Sequence, residues 1–355
     1  MKEARITPDT NVEIHDVDIP EPGPGQLLIK VFVSGTNPKD WKIPFWMNQT
    51  TNSGDDVAGV VEKVGTGVTG FTKGDRVAGY HAMLSPGGTF AEYALTPAYT
   101  SFHVPSNMTF EQAATVPLAA YTAVVAMHYD GGLPSPWGPA PSGDVPTPVV
   151  IYGASTAIGA FAIKLLARAQ VHPIIAVGSK TSSFVTPLLD KAKGDQFVDY
   201  TAFASKDDLA AELAGVLKRT GGKHFRAFDC VSSDGTYEML GKALAAGAEQ
   251  NTAAAAADKK PLLMVCLPNL DLSGVDPRVE ARMTSVGHVH KPENSGQLFG
   301  EVWATALAAG LRDGWLAPHP HEAVKGLEAL GPALKDLREG RVRGKKMVVR
   351  VAEGN

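Results

Sequence analysis

The spacing of apolar and polar residues divides the chain into regions of different character. In residues 1–118 the apolar runs are short and separated by Gly and Pro, and residues 89–95 alternate at a period of two. This pattern predicts the strands of a small β-barrel-like domain, followed by a helix that begins at 111 and a largely buried helix at 118–128. The predicted strands are 26–33, 57–64, a strand fed by the turn 71–78, and 89–95.

From residue 148 onward, apolar strands alternate with helical segments. Such alternation predicts a parallel, doubly wound sheet. The stretch 129–148, rich in Pro and Gly, is predicted to be a loop or linker, and 247–260, with five consecutive alanines, an exposed insertion. The predicted strands are 149–152, 173–177, 197–200, 225–231 and 262–267, and the predicted helices are 158–169, 184–193, 206–220 and 236–246.

The C-terminal tail has a third pattern. It predicts helices at 297–309 and 323–339 and a strand at 346–351, which could rejoin the sheet of the N-terminal domain. A length of 355 residues suits two domains. We therefore expect an α/β protein with a barrel domain and a Rossmann domain. The barrel domain is predicted to be residues 1–120, completed by 297–355, and the Rossmann domain residues 121–296.

Composition narrows the class of protein. The chain is 44% hydrophobic and 20% charged, as in soluble globular proteins, and its net charge of −4 indicates no nucleic-acid binding. No apolar stretch reaches the roughly 18 residues of a transmembrane helix, and the N-terminus does not resemble a signal peptide. Cys230 and Cys266 lie in apolar runs and are predicted to be free core thiols. We therefore expect no disulfide and a reducing compartment, the cytoplasm.

A turn of small residues, 153–159, follows directly on the predicted strand 149–152 and opens a helix. This is the context of a dinucleotide-binding loop, in which helix N-terminal amides hold a pyrophosphate. The glycine pattern is incomplete, since Ala154 and Thr156 occupy the first two glycine positions. The hydroxyls of Ser155 and Thr156 can donate hydrogen bonds to phosphate oxygens instead. The alternative interpretation is an ordinary turn with a serine N-cap.

The end of the second strand in this half favours NADPH over NADH. An NAD site usually ends that strand with an acid that holds the ribose 2′-hydroxyl. Here the strand 173–177 runs into residues 178–183, which carry four hydroxyl side chains and Lys180 but no acid. Cations and hydrogen-bond donors suit a 2′-phosphate. The alternative is a solvated polar turn.

Five motifs in register carry a family resemblance. They are 35–42 (GTNPKDWK), 54–61 (GDDVAGVV), 65–71 (GTGVTGF), 74–77 (GDRV) and 88–93 (GTFAEY). Across essentially its whole length, the chain resembles the medium-chain dehydrogenase/reductase superfamily and its zinc-free quinone oxidoreductase branch. It is more similar still to the fungal trans-acting enoyl reductases and ToxD-like proteins. The resemblance implies a GroES-like β-barrel domain together with the Rossmann doubly wound parallel sheet.

The resemblance also implies positions for the cofactor and the substrate. The candidate catalytic residues are Lys42, Tyr121 and Thr122. The candidate cofactor-binding residues are Lys39, Asp40 and Lys42 at the nicotinamide cleft, Gly153, Ser155, Thr156, Ala157 and Ile158 at the pyrophosphate, Ser179, Lys180, Ser183 and Tyr200 at the 2′-phosphate, Cys266 and Leu267 at a strand end, and Lys346, Met347 and Val348 on a C-terminal segment that closes over the cofactor.

Structural roles stay open for several of these residues. Lys39 and Lys42 can instead be solvated surface lysines. Thr122 can be a hydroxyl inside a helix, bonded to a backbone carbonyl, and Tyr200 can be a core tyrosine. We expect the site to lie between the two domains, at the carboxyl ends of the Rossmann strands.

The chain departs from the zinc-dependent alcohol dehydrogenases of the superfamily at their ligand positions. Those enzymes carry a catalytic Cys in the segment that is 34–40 here, and a His-Glu pair where this chain has Asp55 and Asp56. Catalytic zinc needs three protein ligands on a preformed site, so we expect no metal. The histidines of this half are scattered and are interpreted as unrelated: His15, His81 and His103.

Reduction of an activated C=C bond needs no metal, because hydride goes to the β-carbon and donors stabilise the resulting enolate. We expect an NADPH-dependent reductase of an α,β-unsaturated carbonyl compound, either a small molecule or a carrier-bound enoyl thioester from a polyketide synthase. The alternatives are a quinone or aldehyde reductase, or a non-redox NADPH-binding protein. We expect no nucleic-acid or membrane partner, and a monomer or a homodimer.

Overall fold

The computed structural model describes residues 1–138, 146–180, 183–251, 259–268 and 270–352. The chain divides into two compact units: unit 1 is Met1–Tyr121 with Gly287–Asn355, and unit 2 is Thr122–Val286. The predicted loop 129–148 and the predicted insertion 247–260 lie partly outside the described residues. The predicted domains, 1–120 with 297–355 and 121–296, remain a prediction.

Strands and helices occur in both units. The strands are β1 (Lys2–Ile6), β2 (Val12–Asp16), β3 (Gln26–Gly35), β4 (Asp56–Val64), β5 (Arg76–Tyr80), β6 (Tyr93–Pro97), β7 (Ser101–His103), β8 (Val149–Tyr152), β9 (Ile174–Gly178), β10 (Gln196–Asp199), β11 (Arg226–Asp229), β12 (Leu262–Val265), β13 (Glu280–Met283), β14 (His321–Lys325) and β15 (Lys346–Arg350). The helices are α1 (Lys39–Met47), α2 (Phe110–Ala113), α3 (Pro117–Val124), α4 (Ala157–Arg168), α5 (Lys206–Arg219), α6 (Thr236–Glu249), α7 (Gly296–Arg312) and α8 (Leu330–Arg338). Within the described ranges, no helix combines the length and the apolar character needed to cross a membrane.

Unit 1 is built on a largely antiparallel sheet with the strand order β14-β15-β3-β4-β5-β7, and β6 also pairs with β3. Apolar side chains of β3, β4 and β5 meet in a core that includes Leu27, Val57 and Val77. The pairing of β3 with β4 is irregular at Leu28/Ile29 and again at Val31/Val33, which bends the sheet. Strand β15 pairs with β3, so the C-terminal strand rejoins the N-terminal sheet as predicted.

Helix α1 has no counterpart among the sequence predictions. Its buried positions are Asp40, Ile43 and Pro44, which share one helical face. Because one of these three is a carboxylate, the apolar stripe that signals a helix is too short to recognise. The helix begins after Pro38 and ends at Asn48, whose φ of 50° is left-handed.

Two further predictions for unit 1 need correction. The strand predicted at 89–95 is displaced, since β6 begins at Tyr93 and the amide of Phe90 is bonded instead by the Asn52 side chain at 3.2 Å. The helix predicted at 323–339 is wrong in its first part. Strand β14 occupies that part, and Gly326, with φ 86°, separates it from the 3₁₀ turn and α8 that follow.

Two further helix predictions differ from the structure. One, at 118–128, crosses the start of unit 2 in the sequence, and the other, at 184–193, lies within unit 2. The helix predicted at 118–128 divides into α3 and a π-helical segment, Val125–Asp130. The helix predicted at 184–193 is wrong, because the chain forms two 3₁₀ turns, Thr186–Leu188 and Lys191–Lys193. Asp190 caps the second turn with its side chain, which starts a new short segment where the predicted helix would continue.

Unit 2 contains a parallel sheet with the strand order β10-β9-β8-β11-β12-β13 among its described residues, which confirms the prediction of a parallel doubly wound sheet. Helices α5 and α6 pack on it through a core that includes Leu213, Leu217 and Leu244. Strand β8 lies between β9 and β11, so the strand order reverses beside it. Open α/β sheets bind ligands at the carboxyl ends of the strands at such a reversal.

Candidate functional site

The turn between β8 and α4 has the shape that a phosphate-binding loop requires. Gly153 has a φ of 76°, and a Cβ there would lie 2.8 Å from Val231 Cγ2. A Cβ on Gly159 would lie 2.4 Å from the carbonyl oxygen of Gly153, so the helix approaches the turn closely. Glycine is therefore needed at 153 and 159, although the expected pattern is broken between them.

Thr156 caps helix α4. Its hydroxyl donates to the carbonyl of Gly153 at 2.8 Å and accepts from the amide of Gly159 at 3.0 Å. The N-cap is therefore Thr156, which corrects the alternative of a serine cap, and its hydroxyl holds the turn together. The first amides of α4, those of Ala157 and Ile158, have no carbonyl partner within the helix and can bind an anion.

The described residues after β9 differ in exposure. Ser179 is half-buried, Ser183 is exposed, and the Lys180 side chain is 82% exposed. Tyr200, directly after β10, is 40% exposed and its ring centroid lies 6.2 Å from that of Tyr152. Tyr200 is thus not a core tyrosine. Thr181 and Ser182 of the predicted polar run lie outside the described residues.

Asp199, the last residue of β10, is a further candidate site residue, and the sequence pattern did not point to it. It pairs in register with Gly178 of β9, so its carboxylate lies beside the turn that carries Lys180. Its Oδ2 is 3.7 Å from the Lys180 Nζ. Hydrogen bonds from Thr201 hold the pKa of Asp199 below its usual value, so the group is ionised at neutral pH. In the sequence, the only indication of this role is an acid at the end of an apolar run. The pairing of that run with β9 is visible only in the sheet.

The ends of β11 and β12 complete this edge of the sheet. Cys230 follows β11 and is buried, and burial raises the pKa of its thiol well above the usual value. Cys266 and Leu267 follow β12 and are partly exposed, and the Cys266 amide donates to Ser232 Oγ at 2.9 Å. Neither cysteine forms a disulfide, as predicted. The residues brought together at the strand ends of unit 2 are therefore Gly153, Ser179, Tyr200, Cys230 and Cys266.

In unit 1, Lys39 belongs to a buried charge cluster. Its Nζ is 2.8 Å from Asp40 Oδ1 and also contacts Asp55 Oδ2 and the Ser53 carbonyl. The other oxygen of Asp55 accepts from His81 Nδ1 at 2.9 Å, and both of these side chains are about 2% exposed. Lys39 is therefore not a solvated lysine. His81, which the sequence left without a role, contacts the same Asp55. Both are parts of one internal network.

The electrostatics of this cluster reflect two carboxylates that share one ammonium group. Burial raises the pKa of Asp40 to about 7, against the lowering effect of Lys39. Burial also tends to raise the pKa of Asp55. The positive charge of Lys39 and the hydrogen bond from His81 have the larger effect, so the pKa of Asp55 is lowered. Burial alone would lower the pKa of Lys39, yet the two carboxylates raise it. No group of three or more His, Cys, Asp or Glu residues suited to a metal ion occurs in the part of the chain that the structure describes.

A second buried ion pair ties the C-terminal strand to the sheet. Lys346 Nζ lies 2.5 Å from Asp56 Oδ2 and 3.1 Å from Asn37 Oδ1. Met347 and Val348 are buried in β15, which pairs with β14 on one side and β3 on the other. The backbone and the one charge of 346–348 are thus bonded within the sheet, and the expectation that this segment closes over the cofactor stays a prediction.

The three candidate catalytic residues have different environments. Tyr121 is fully buried and its hydroxyl donates to the Gly300 carbonyl at 3.2 Å, so it packs in the core of unit 1. The contact predicted for Tyr121, to the nicotinamide ribose, the substrate carbonyl or both, stays a prediction. Thr122 lies on α3 and is 5% exposed. Lys42 is partly exposed on α1, with its Nζ 5.5 Å from the Trp41 ring centroid.

Comparison with known proteins supports the combination of these two units. Residues 23–106 match the alcohol dehydrogenase GroES-like domain family. The chain is 36% identical to trans-enoyl reductase fsr4 of Gibberella fujikuroi, over 92% of this chain and 91% of that protein.

Solved structures share the fold over nearly the whole chain. The CurK enoyl reductase matches with a TM-score of 0.72 and 18% identity, over 99% of both chains. A mycobacterial protein solved in complex with NADPH matches with a TM-score of 0.71 and 21% identity, over 99% of this chain and 100% of that one. At such identities the likeness concerns the fold, and the predicted pairing of a GroES-like barrel with a Rossmann sheet is confirmed.

Proposed function

The chain belongs to the trans-enoyl reductases, and we propose that it reduces the C=C bond of an α,β-unsaturated carbonyl substrate with NADPH. The resemblance carried by the five motifs is thereby confirmed, and the protein is an oxidoreductase. One observation supports the proposal within the structure itself. The Gly153 turn, the start of α4 and the Ser179–Lys180 turn all follow neighbouring strands at one edge of the parallel sheet.

These residues fit a nicotinamide dinucleotide. The turn at Gly153 and the first amides of α4 would hold the pyrophosphate, because a helix N-terminus carries partial positive charge. Ser179, Lys180 and Ser183 would hold a 2′-phosphate, and Tyr200 would lie against the adenosine. Cys266 and Leu267 would line the same edge. When bound, the nicotinamide ring supplies the hydride.

The chemistry required of the chain itself is stabilisation of the enolate. Lys42 and Thr122 are hydrogen-bond donors, and a donor aimed at the developing oxyanion lowers the barrier. Lys42 lies over the rings of Trp41 and Trp46, at 5.5 and 5.9 Å, which restricts where its ammonium group can point. Neither residue is a strong base, so the pair suits reduction, with water as the source of the proton.

We further propose that the substrate is a carrier-bound enoyl thioester supplied by a polyketide synthase. The support is the name of the related protein, a trans-enoyl reductase, which implies an enoyl reductase separate from the chain that carries the substrate. Neither cysteine forms a disulfide, which suits a reducing compartment, so we propose that the reaction takes place in the cytoplasm.

The proposal is tested by measuring NADPH oxidation with a panel of enoyl thioesters, simple enones and quinones. Enoyl thioesters are expected to be the best substrates, and a chelator is expected to leave the rate unchanged, since no metal takes part. Preference for quinones would favour a quinone reductase instead. Binding of NADPH without oxidation across the whole panel would favour a non-redox role.

A further inference from the structure

We propose that Asp199 is a specificity-determining residue for the cofactor. It reduces the factor by which the protein binds NADPH more tightly than NADH. The inference rests on the proposed function, because it assumes that unit 2 binds a nicotinamide dinucleotide. An acid is missing from the end of β9, where NAD sites usually carry one. In this protein the neighbouring strand β10 supplies a carboxylate to the same place.

The position of Asp199 follows from strand register. Gly178 and Asp199 are the last residues of β9 and β10, and they face each other as a pair in the parallel ladder. The ribose 2′ position of a bound dinucleotide lies just beyond the end of the second strand of such a sheet, which here is β9. The Asp199 side chain is only 10% exposed, and Lys180 Nζ is 3.7 Å from its Oδ2.

The two carboxylate oxygens have different surroundings. Oδ1 accepts hydrogen bonds from the Thr201 amide at 3.0 Å and from the Thr201 hydroxyl at 2.7 Å, which fixes the side chain. Oδ2 is buried and accepts no hydrogen bond from the described residues. A buried acceptor without a donor is costly, so a ligand that brings a donor to Oδ2 gains affinity.

NADH and NADPH differ in what they bring to this oxygen. The 2′-hydroxyl of NADH is a donor and can complete the hydrogen bonding of Oδ2. The 2′-phosphate of NADPH is an anion, so Asp199 repels it while Lys180 attracts it. Because Lys180 is 82% exposed, its position is held loosely, whereas Asp199 is fixed by Thr201. The repulsion therefore offsets much of the advantage that the lysine gives to NADPH.

The variant Asp199→Asn removes the charge and keeps an oxygen that can cap Thr201. We expect the dissociation constant of NADPH to fall about tenfold and that of NADH to rise a few-fold. The same change should appear with the adenosine fragments alone, as tighter binding of 2′,5′-ADP and weaker binding of 5′-AMP. Both measurements are made at equilibrium by calorimetry or fluorescence on the full chain, at low salt, where charge effects are largest.

A matched control is Asp190→Asn. Asp190 caps the Ala192 amide at 3.0 Å in the same way, but it precedes β10 and so lies away from the strand ends. This variant should leave both dissociation constants unchanged. Asp199→Ser, which can also cap Thr201 without a charge, repeats the test if the asparagine variant folds poorly.

An unchanged ratio of NADPH to NADH affinity in both Asp199 variants would overturn the inference, as would an equal change in Asp190→Asn. If the protein reduces no enoyl substrate but the Asp199 variants still change the two cofactor affinities as expected, the proposed reaction is wrong and the role of Asp199 is supported. Absence of binding by either nucleotide overturns both.

Discussion

Unit 1 and unit 2 place their charged side chains in different ways. In unit 1 the ammonium groups of Lys39 and Lys346 are buried and contact the buried carboxylates of Asp55 and Asp56, respectively. In unit 2 the Lys180 side chain is largely exposed, and one carboxylate oxygen of Asp199 accepts no hydrogen bond from the described residues. Removing one partner of a buried ion pair destabilises a fold, because the other charge is left unpaired, whereas an open or incompletely bonded charge is available to a ligand. The comparison predicts stability effects in unit 1 and binding effects in unit 2.

The largest expected effect on stability is that of Lys346→Ala. The Lys346 side chain is 4% exposed and its partner Asp56 is fully buried, so the variant leaves an unpaired carboxylate inside unit 1. We expect a loss of about 3–5 kcal/mol in the free energy of unfolding, measured by denaturant titration. The neighbouring Lys345→Ala is the control, since Lys345 is 40% exposed and pairs with an exposed glutamate. Equal losses in the two variants would contradict the distinction between buried and open charges.

Lys42 and Thr122 are the residues for which we expect the largest effect on rate. Lys42→Ala and Thr122→Val should each lower the single-turnover rate of enoyl reduction by about 10²–10³, because each removes a donor to the enolate. Cofactor affinity should change far less. If both variants keep the wild-type rate, these side chains belong to the scaffold and the catalytic site is misplaced.

Asp40 is expected to give unit 1 a distinctive pH dependence. Burial raises its pKa to about 7, so the folded protein keeps a proton that the unfolded chain loses near pH 4. Unfolding then releases a proton between these pH values, and the stability contributed by Asp40 falls as pH rises. Asp40→Asn should lack this slope, which is about 1.4 kcal/mol per pH unit at most. Unfolding profiles of wild type and variant that run parallel from pH 4 to 7 would contradict the assignment.

A smaller effect is expected from Lys180→Ala in unit 2. Loss of a charge-assisted contact to a 2′-phosphate should weaken NADPH binding by about tenfold. NADH binding should change far less, because NADH carries no 2′-phosphate, and the midpoint of thermal unfolding should stay unchanged, because the Lys180 side chain is 82% exposed. Equal weakening of both cofactors would mean that the turn after β9 does not recognise the phosphate.

The sheet of unit 2 could be predicted because parallel strands buried on both faces are continuous apolar runs. Strands β8 and β12, with the sequences VVIY and LLMV, are examples. The helix predicted at 184–193 failed because the side chain of Asp190 bonds the backbone locally and starts a separate turn. Local hydrogen bonding of this kind is not visible in the spacing of apolar residues.

The charge clusters could not be predicted, because their members are far apart in the sequence. His81 and Asp55 come together only when β4 and β5 pair, and Lys346 reaches Asp56 only across the sheet. Sequence alone therefore left Lys39 between a surface role and a site role. The structure excludes the surface role, because the Lys39 side chain is 15% exposed, and the site role stays a prediction. Asp199 was missed for the same reason, since its relation to Lys180 depends on the register of β9 and β10.

The most direct test of the proposed reaction is transfer of label from NADPH carrying deuterium at the reactive position of the nicotinamide. The enzyme is mixed with an enoyl thioester and the product is examined by mass spectrometry and NMR. We predict a saturated thioester with one deuterium at the β-carbon, formed in the same amount as the NADPH that is consumed. An unreduced thioester, or a saturated product without the deuterium, would contradict the account.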